Sequence, residues 1–386
     1  MLIGRDTRAS GQELEESLAF GLKLAGMEVH LGGVLPTPAV PLLAEGYGAV
    51  ISASHNPPEY NGVKFFDANG LKLSDEAEEA IEVMLGADAP PGDAGPEPVR
   101  EEDLGARYVE LVCERFGAPL DGLRIAVDCA NGAMYQVAPD ALRRLGAEVT
   151  SLGDRPDGRN INVGCGATDL SLLKDTFRSG GLDLGVAFDG DGDRMLAVDA
   201  TGNELDGDQI LAILALHLGV DLVAVTQMTN LGFHRLMTEK GIRVVTTDVG
   251  DRYVLEALRR EGGMLGGEQS GHVVYLDGHT TGDGLVAAML LCRAVVEEGK
   301  TLAELAAVMP RLPQARADVP VRSKELPEGL RNELDDLAKS LGDSARILVR
   351  PSGTEPVVRI LAEAETPAKA DKLCGTIRTL VLRELG

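Results

Sequence analysis

Three stretches of the chain repeat one pattern, and that repeat constrains the fold more than any other feature. Each copy opens on a short apolar run, passes through a polar turn into a helix-like segment, and returns through Gly-x-x-Val. Leu2-Ile3-Gly4 leads to Gly26-Met27-Glu28-Val29, Arg124–Val127 to Gly146-Ala147-Glu148-Val149, and Leu222–Val225 to Gly241-Ile242-Arg243-Val244. In every copy the glycine stands where a helix C-cap belongs and the valine opens a new strand. A further glycine follows each time: Gly33, Gly153 and Gly250. A strand, a crossover helix and a second strand used three times is a right-handed α/β design, and its repetition predicts three related domains.

The tail from about Ala315 lacks the pattern. Its spacing predicts a helix over Pro327–Ser340, strands at Arg346–Val349 and Val357–Ala362, and a last helix from Pro367. That alternation describes a small α+β domain. Length agrees, because 386 residues hold roughly two to four domains at the usual size. A Pro- and Gly-rich stretch at 86–98 and prolines at 310, 313, 320 and 327 mark linkers. The expected domains are 1–103, 104–206, 207–312 and 313–386.

Composition narrows the partners. Against 61 Asp+Glu stand 37 Lys+Arg, a net charge of −24, and a field of that sign repels nucleic acid and anionic membrane. The most apolar stretch, 210–225, is broken by His217 and Asp221 and is too short to span a bilayer. The first residues carry early charges and no apolar leader core. Five scattered cysteines without a Cys-x-x-Cys pair indicate reduced thiols, so the expected location is the cytoplasm.

Open α/β sheets bind ligands beyond the carboxyl ends of their strands, so the polar loop after an apolar run is where chemistry is sought. Ser52-Ala53-Ser54-His55-Asn56-Pro57 follows Ala49-Val50-Ile51, with Lys64 close behind. A serine beside basic groups suits a nucleophile, the alternative being a hydrogen-bonded turn. No Gly-x-Ser-x-Gly elbow surrounds it, which counts against a Ser-His-Asp hydrolase. Asp189-Gly190-Asp191-Gly192-Asp193-Arg194 joins two apolar runs. Its alternate carboxylates can converge on one hard divalent cation, without which they repel one another. An EF-hand fails, because positions 194 and 200 hold Arg194 and Ala200.

Gly266-Gly267-Glu268-Gln269-Ser270-Gly271-His272 offers Glu268 and Ser270 to a polyol, or is a Gly-rich hairpin turn. Arg350-Pro351-Ser352-Gly353-Thr354-Glu355-Pro356, with Arg359 after it, makes a clamp for a phosphate dianion, or a salt-bridged surface turn. Gly164-Cys165-Gly166 starts like a dinucleotide fingerprint, but Asp169 replaces its third glycine and no nicotinamide or flavin is assigned. A nucleophilic serine, a cation site, a polyol reader and a phosphate clamp suffice for phosphoryl transfer, which needs mainly positioning and charge neutralisation.

These four motifs, in this order, closely resemble the α-D-phosphohexomutase superfamily over nearly the whole chain. The resemblance implies three similar α/β domains with mixed sheets plus a C-terminal α+β domain around a central cleft. It implies Mg2+ and a phosphoserine at Ser54, with Ser54, Asp189, Asp191 and Asp193 holding the metal. Arg194, Glu268, Ser270 and His272 would bind substrate, and Arg350, Ser352, Gly353, Thr354 and Arg359 its distal phosphate. His55, Lys64 and His272 would transfer protons or touch phosphate. Gln269 and the segment Val249–Val254 look like the branch that interconverts glucosamine 6-phosphate and glucosamine 1-phosphate through a hexose bisphosphate. Phosphoglucomutase/phosphomannomutase activity is the alternative. Members usually begin well upstream with a segment like Phe-Gly-Thr-Asp-Gly-Ile-Arg-Gly, so the first domain is expected to be truncated. An inactive sugar-phosphate-binding homologue is therefore a second alternative. The resemblance leaves room for a homodimer.

Overall fold

The computed structural model describes residues 1–86, 95–352 and 355–386. Most of the expected linker at 86–98 therefore lies outside the described residues. The first repeat runs β1 (Leu2–Arg5), α1 (Gly11–Leu24), β2 (His30–Val34), α2 (Ala39–Leu43), β3 (Gly48–Ile51), β4 (Val63–Phe66), α3 (Asp75–Val83) and β5 (Val99–Arg100). The second runs α4 (Leu104–Phe116), β6 (Arg124–Asp128), α5 (Val137–Arg144), β7 (Glu148–Leu152), α6 (Ser171–Phe177), β8 (Leu184–Phe188), β9 (Met195–Asp199) and β10 (Glu204–Leu205). The third runs α7 (Gly207–Leu218), β11 (Leu222–Thr226), α8 (Leu231–Lys240), β12 (Arg243–Thr247), α9 (Asp251–Glu261), β13 (Leu265–Gly267), β14 (Val273–Tyr275), α10 (Gly284–Glu298) and α11 (Leu302–Ala306).

The three sheets share one plan. Strands β1, β6 and β11 pair in parallel with β2, β7 and β12 on one side and with β3, β8 and β13 on the other. An antiparallel hairpin then adds β4, β9 and β14. The sheets are mixed for that reason. Interior strands buried on both faces must be apolar throughout. Ile125, Ala126 and Val127 of β6 and all of β8 are accordingly buried. Each buried Val, Leu or Ile side chain contributes roughly 1.5–3 kcal/mol. Gly26, Gly146 and Gly241 follow their helices at φ 80°, 99° and 71°, the left-handed turn that ends a helix without steric cost only in glycine.

Compactness divides the described residues into two units, 1–226 with 242–308 and 227–241 with 309–386. The second unit holds α8 together with β15 (Gln314–Pro320), α12 (Glu328–Leu341), β16 (Ala345–Pro351), β17 (Val357–Ala364) and α13 (Pro367–Leu385). Its sheet has the order β15-β17-β16, antiparallel throughout. Ala370, Cys374, Ile377 and Val381 of α13 pack in the same core as Val358 and Ile360 of β17. Asn230 ties α8 to this unit: its side chain accepts from the N–H groups of Gly232 and Leu312 and donates to the Leu312 carbonyl. Gln314–Pro320, expected as linker because of its prolines, is a strand. It lies at the sheet edge with Pro320 at its last position, where a missing N–H is tolerated. No helix among the described residues is long and apolar enough to cross a membrane.

Candidate active site

Three of the four motif loops occupy one topological position, the turn of the β3–β4, β8–β9 or β13–β14 hairpin. Each therefore leaves the sheet at the carboxyl end of a parallel strand, in agreement with the general rule for such sheets.

Ser54 stands in the first hairpin at φ 51°, an uncommon conformation for serine. Its N–H donates to Ser52 Oγ at 2.8 Å, and its Oγ donates to Asp189 Oδ2 at 2.6 Å. His55 Nδ1 lies 3.5 Å from the same Oγ, too long for a strong bond. Gly190 of the second hairpin lies against this loop, and a Cβ there would meet the Ser54 carbonyl at 2.6 Å. Only glycine allows that approach.

Asp189, Asp191 and Asp193 are all buried, with one oxygen from each within 4.8 Å of the others. Asp189 Oδ1 accepts from the N–H groups of Gly192 and Arg194. Asp191 Oδ2 accepts from Thr37 Oγ1 at 2.5 Å and Lys64 Nζ at 2.7 Å, and the same ammonium reaches Asp193 Oδ2 at 3.4 Å. Burial and the charges of Asp193 and Asp191 push the Asp189 carboxyl up to about 8. Burial lowers the Lys64 ammonium less than Asp191 and Asp193 raise it, so it stays charged. Asp191 Oδ1 and Asp193 Oδ1 are buried without a hydrogen-bond partner among the described residues. Orphaned carboxylate oxygens that converge in an acidic pocket are the donor set of a hard divalent cation. The residues present fit such an ion.

These groups open on a cavity of about 550 Å³ whose lining includes Ser54, His55, Lys64, Asp193, Arg194, Glu268, Ser270 and His272. Glu268 is oriented by the Gly250 N–H, which donates to its Oε1 at 3.2 Å. His272 is buried between Asp193 and Asp251, at 3.8 and 3.7 Å. Burial lowers its pKa, but the two carboxylates outweigh that and raise it. Burial and Arg194 lower that of His55. Gln269 is not part of the lining. Its side-chain amide donates to Asp208 Oδ2 at 3.0 Å and its carbonyl accepts from the Gly207 N–H, so it fastens the loop to α7.

In the second unit Arg350 and Arg359 face each other across β16 and β17. Glu355 accepts from Arg359 Nη2 at 2.8 Å and donates its own N–H to the buried Ser352 Oγ at 3.2 Å. Gly353 and Thr354 lie outside the described residues. Sequence reasoning missed Asp6, Arg8, Thr37 and Asn162, all of which touch the serine loop or an aspartate. Asp6 and Arg8 directly follow β1 and Thr37 follows β2, so the carboxyl-end rule applied to every strand would have found those three.

A mixed α/β sheet repeated three times, with a serine and an aspartate cluster on equivalent hairpins, defines a phosphoryl-transfer class of protein. All four domain descriptions of the phosphoglucomutase/phosphomannomutase family match the chain: α/β/α domain I at 1–89, II at 106–202, III at 206–312 and the C-terminal domain at 291–380. The chain belongs to this family. Among its relatives, the phosphoglucosamine mutase of Pelotomaculum thermopropionicum is 48% identical over 99% of this chain and 90% of its own length. That of Saccharopolyspora erythraea is 49% identical over 98% and 89%. A crystal structure of a phosphoglucomutase/phosphomannomutase family protein from Burkholderia thailandensis superposes with a TM-score of 0.84 at 25% identity, covering 98% of this chain and 88% of that one.

Proposed function

We propose that this chain is an intramolecular phosphotransferase that interconverts glucosamine 6-phosphate and glucosamine 1-phosphate. The observation that carries the reading is Ser54. It is held at positive φ with its Oγ on Asp189, within a buried aspartate cluster and at the wall of a cavity offering Glu268, Ser270, His272 and Arg194. Relatives at 48–49% identity that bear the name phosphoglucosamine mutase support the amino sugar.

Phosphorylated Ser54 gives its phosphoryl group to a sugar hydroxyl. The seryl P–O bond breaks, a sugar P–O bond forms, the hydroxyl proton passes to a neighbouring base, and the departing Ser54 Oγ takes up a proton, leaving a 1,6-bisphosphate and a free serine hydroxyl. Return of the other phosphoryl group to Ser54 restores the enzyme. Asp189, Asp191 and Asp193 with Ser54 would hold Mg2+, which when bound neutralises charge developing on the transferring oxygens. Glu268 and Ser270 read sugar hydroxyls or the 2-amino group. Arg194 and His272 contact the substrate, and His55, Lys64 and His272 are the candidate proton carriers. Arg350, Ser352, Gly353, Thr354 and Arg359 bind a substrate phosphate. We propose as well the four domains 1–103, 104–206, 207–312 and 313–386, a cytoplasmic location and a homodimer, without nucleic-acid or membrane partners.

Ser54→Ala should abolish turnover of glucosamine 6-phosphate while the circular dichroism spectrum stays unchanged, because one oxygen is lost. Wild-type protein incubated with a hexose bisphosphate and Mg2+ should gain about 80 Da, one phosphoryl group, on the peptide containing Ser54. Phosphate on Ser52, or substantial turnover by Ser54→Ala, would refute the assignment. A kcat/KM for glucose 1-phosphate equal to that for the amino sugar would favour the phosphoglucomutase/phosphomannomutase alternative.

A further inference from the structure

The loop that carries Ser54 is gripped by two side chains that take no part in the steps above. Arg8, in the turn after β1, is 1% exposed. Its Nη2 donates to the carbonyls of Ser54 and Asn56, both at 2.9 Å, and its Nη1 to those of Tyr60 at 3.0 Å and Pro57. Its Nε donates to Asp6 Oδ2 at 2.9 Å. The guanidinium's five N–H groups thus all have acceptors. The same Asp6 oxygen accepts from Ser52 Oγ at 2.7 Å, and Ser52 Oγ accepts from the Ser54 N–H. From the neighbouring repeat Asn162 Nδ2 donates to the same Ser54 carbonyl at 2.9 Å and to that of Asn56 at 3.2 Å.

Burying a guanidinium costs several kcal/mol unless its donors are met. Here four of the five meet the main chain of a single loop, and the fifth meets Asp6. A serine held at φ 51° is itself unfavourable and persists only where its surroundings fix it. The surroundings that do so are Arg8 and Asn162 on the carbonyl side and Ser52 on the amide side.

We propose that Arg8 and Asn162 are positioning residues for phosphoryl transfer: they hold the Ser54 peptide so that its Oγ points at the aspartate cluster. The inference rests on the reading of Ser54 as the phosphoryl carrier. It predicts a defect in the transfer step and not in sugar binding, because Glu268, Ser270 and Arg194 belong to other hairpins.

Two variants test it. Arg8→Lys keeps the charge beside Asp6 but cannot fork to four carbonyls. Asn162→Gly removes the amide while tolerating the φ of 60° at this position. It lies outside the core, so it remains informative if Arg8→Lys fails to fold. For each folded variant, kcat, KM for glucosamine 6-phosphate and the single-turnover rate of Ser54 phosphorylation by a hexose bisphosphate are measured well below its melting temperature. The expected result is a fall of about tenfold or more in kcat and in the phosphorylation rate together, with KM within about twofold, since a misplacement of about 1 Å costs up to ~10²-fold in rate. Wild-type rates in Asn162→Gly and in folded Arg8→Lys, or a loss confined to KM or to the melting temperature, would overturn the proposal. The wild-type control separates the two claims. If wild-type protein takes no phosphoryl group on Ser54, the underlying reading fails. If it does and the variants match it, only the positioning role fails.

Discussion

Arg350 and Arg359 are directly opposed across an antiparallel pair, where like charges destabilise the sheet. One carboxylate, that of Glu355, is paired with Arg359. Two guanidiniums kept face to face in this way have more use for an anion than for the fold. Arg350→Ala should therefore raise KM for the sugar phosphate by about tenfold or more, because a charged hydrogen bond is worth about 1.5–3 kcal/mol. Its melting temperature should stay level or rise slightly as the repulsion is relieved. Unchanged KM in steady-state assays would contradict the clamp. At this scale, legibility in the sequence depends on how densely a function is written. Asp189, Asp191 and Asp193 are legible because alternation with glycine packs a ligand set into one hairpin. Arg8 is not, since its partners are main-chain carbonyls about fifty positions away, and a carbonyl has no residue type.

Elements place the site by repetition, and capping fixes the elements. Asp283 is 2% exposed and its Oδ1 accepts from the N–H groups of Leu285 and Val286 at the start of α10. It also accepts from the Tyr108 hydroxyl of α4 at 2.8 and 2.9 Å and lies 3.0 Å from His279 Nε2. Burial and Asp283 push the Tyr108 phenol well up, so it remains a donor. Asp283→Ala should destabilise the protein by about 2–4 kcal/mol, a lost cap of about 1 and an unmet buried hydroxyl of about 1–3. Asp283→Asn, which keeps one acceptor, should recover part of that. Urea denaturation gives both values, and a loss below about 0.5 kcal/mol for the alanine variant would refute the argument. The strand–helix–Gly-x-x-Val units were legible because glycine at a helix end and an apolar run at a strand are local signals. β15 was not, because its flanking prolines also signal a linker, and only pairing with β17 makes it a strand.

At the scale of the whole molecule, the net charge of −24 and the division into two compact units set opposing responses to acid. Protonating carboxylates lowers the charge and relieves self-repulsion, which favours the folded state. His234 on α8 acts the other way. Its Nε2 has no hydrogen-bond partner among the described residues, and burial together with the Arg346 charge lowers its pKa from the ordinary 6.5 to about 4. Between these values the unfolded chain binds the proton and the folded unit does not, so stability rises with pH across that window. The contribution is fully present above about pH 6.5 and is lost as pH falls through about 4. With His234 part-exposed, it amounts to roughly 1–3 kcal/mol. Chemical denaturation at pH 7 and at pH 4.5 should show wild-type protein losing more stability than His234→Phe, which cannot take up the proton. The comparison cancels the general charge effect, since both chains carry the same carboxylates. Equal losses in the two proteins would mean that His234 does not govern the acid response of its unit.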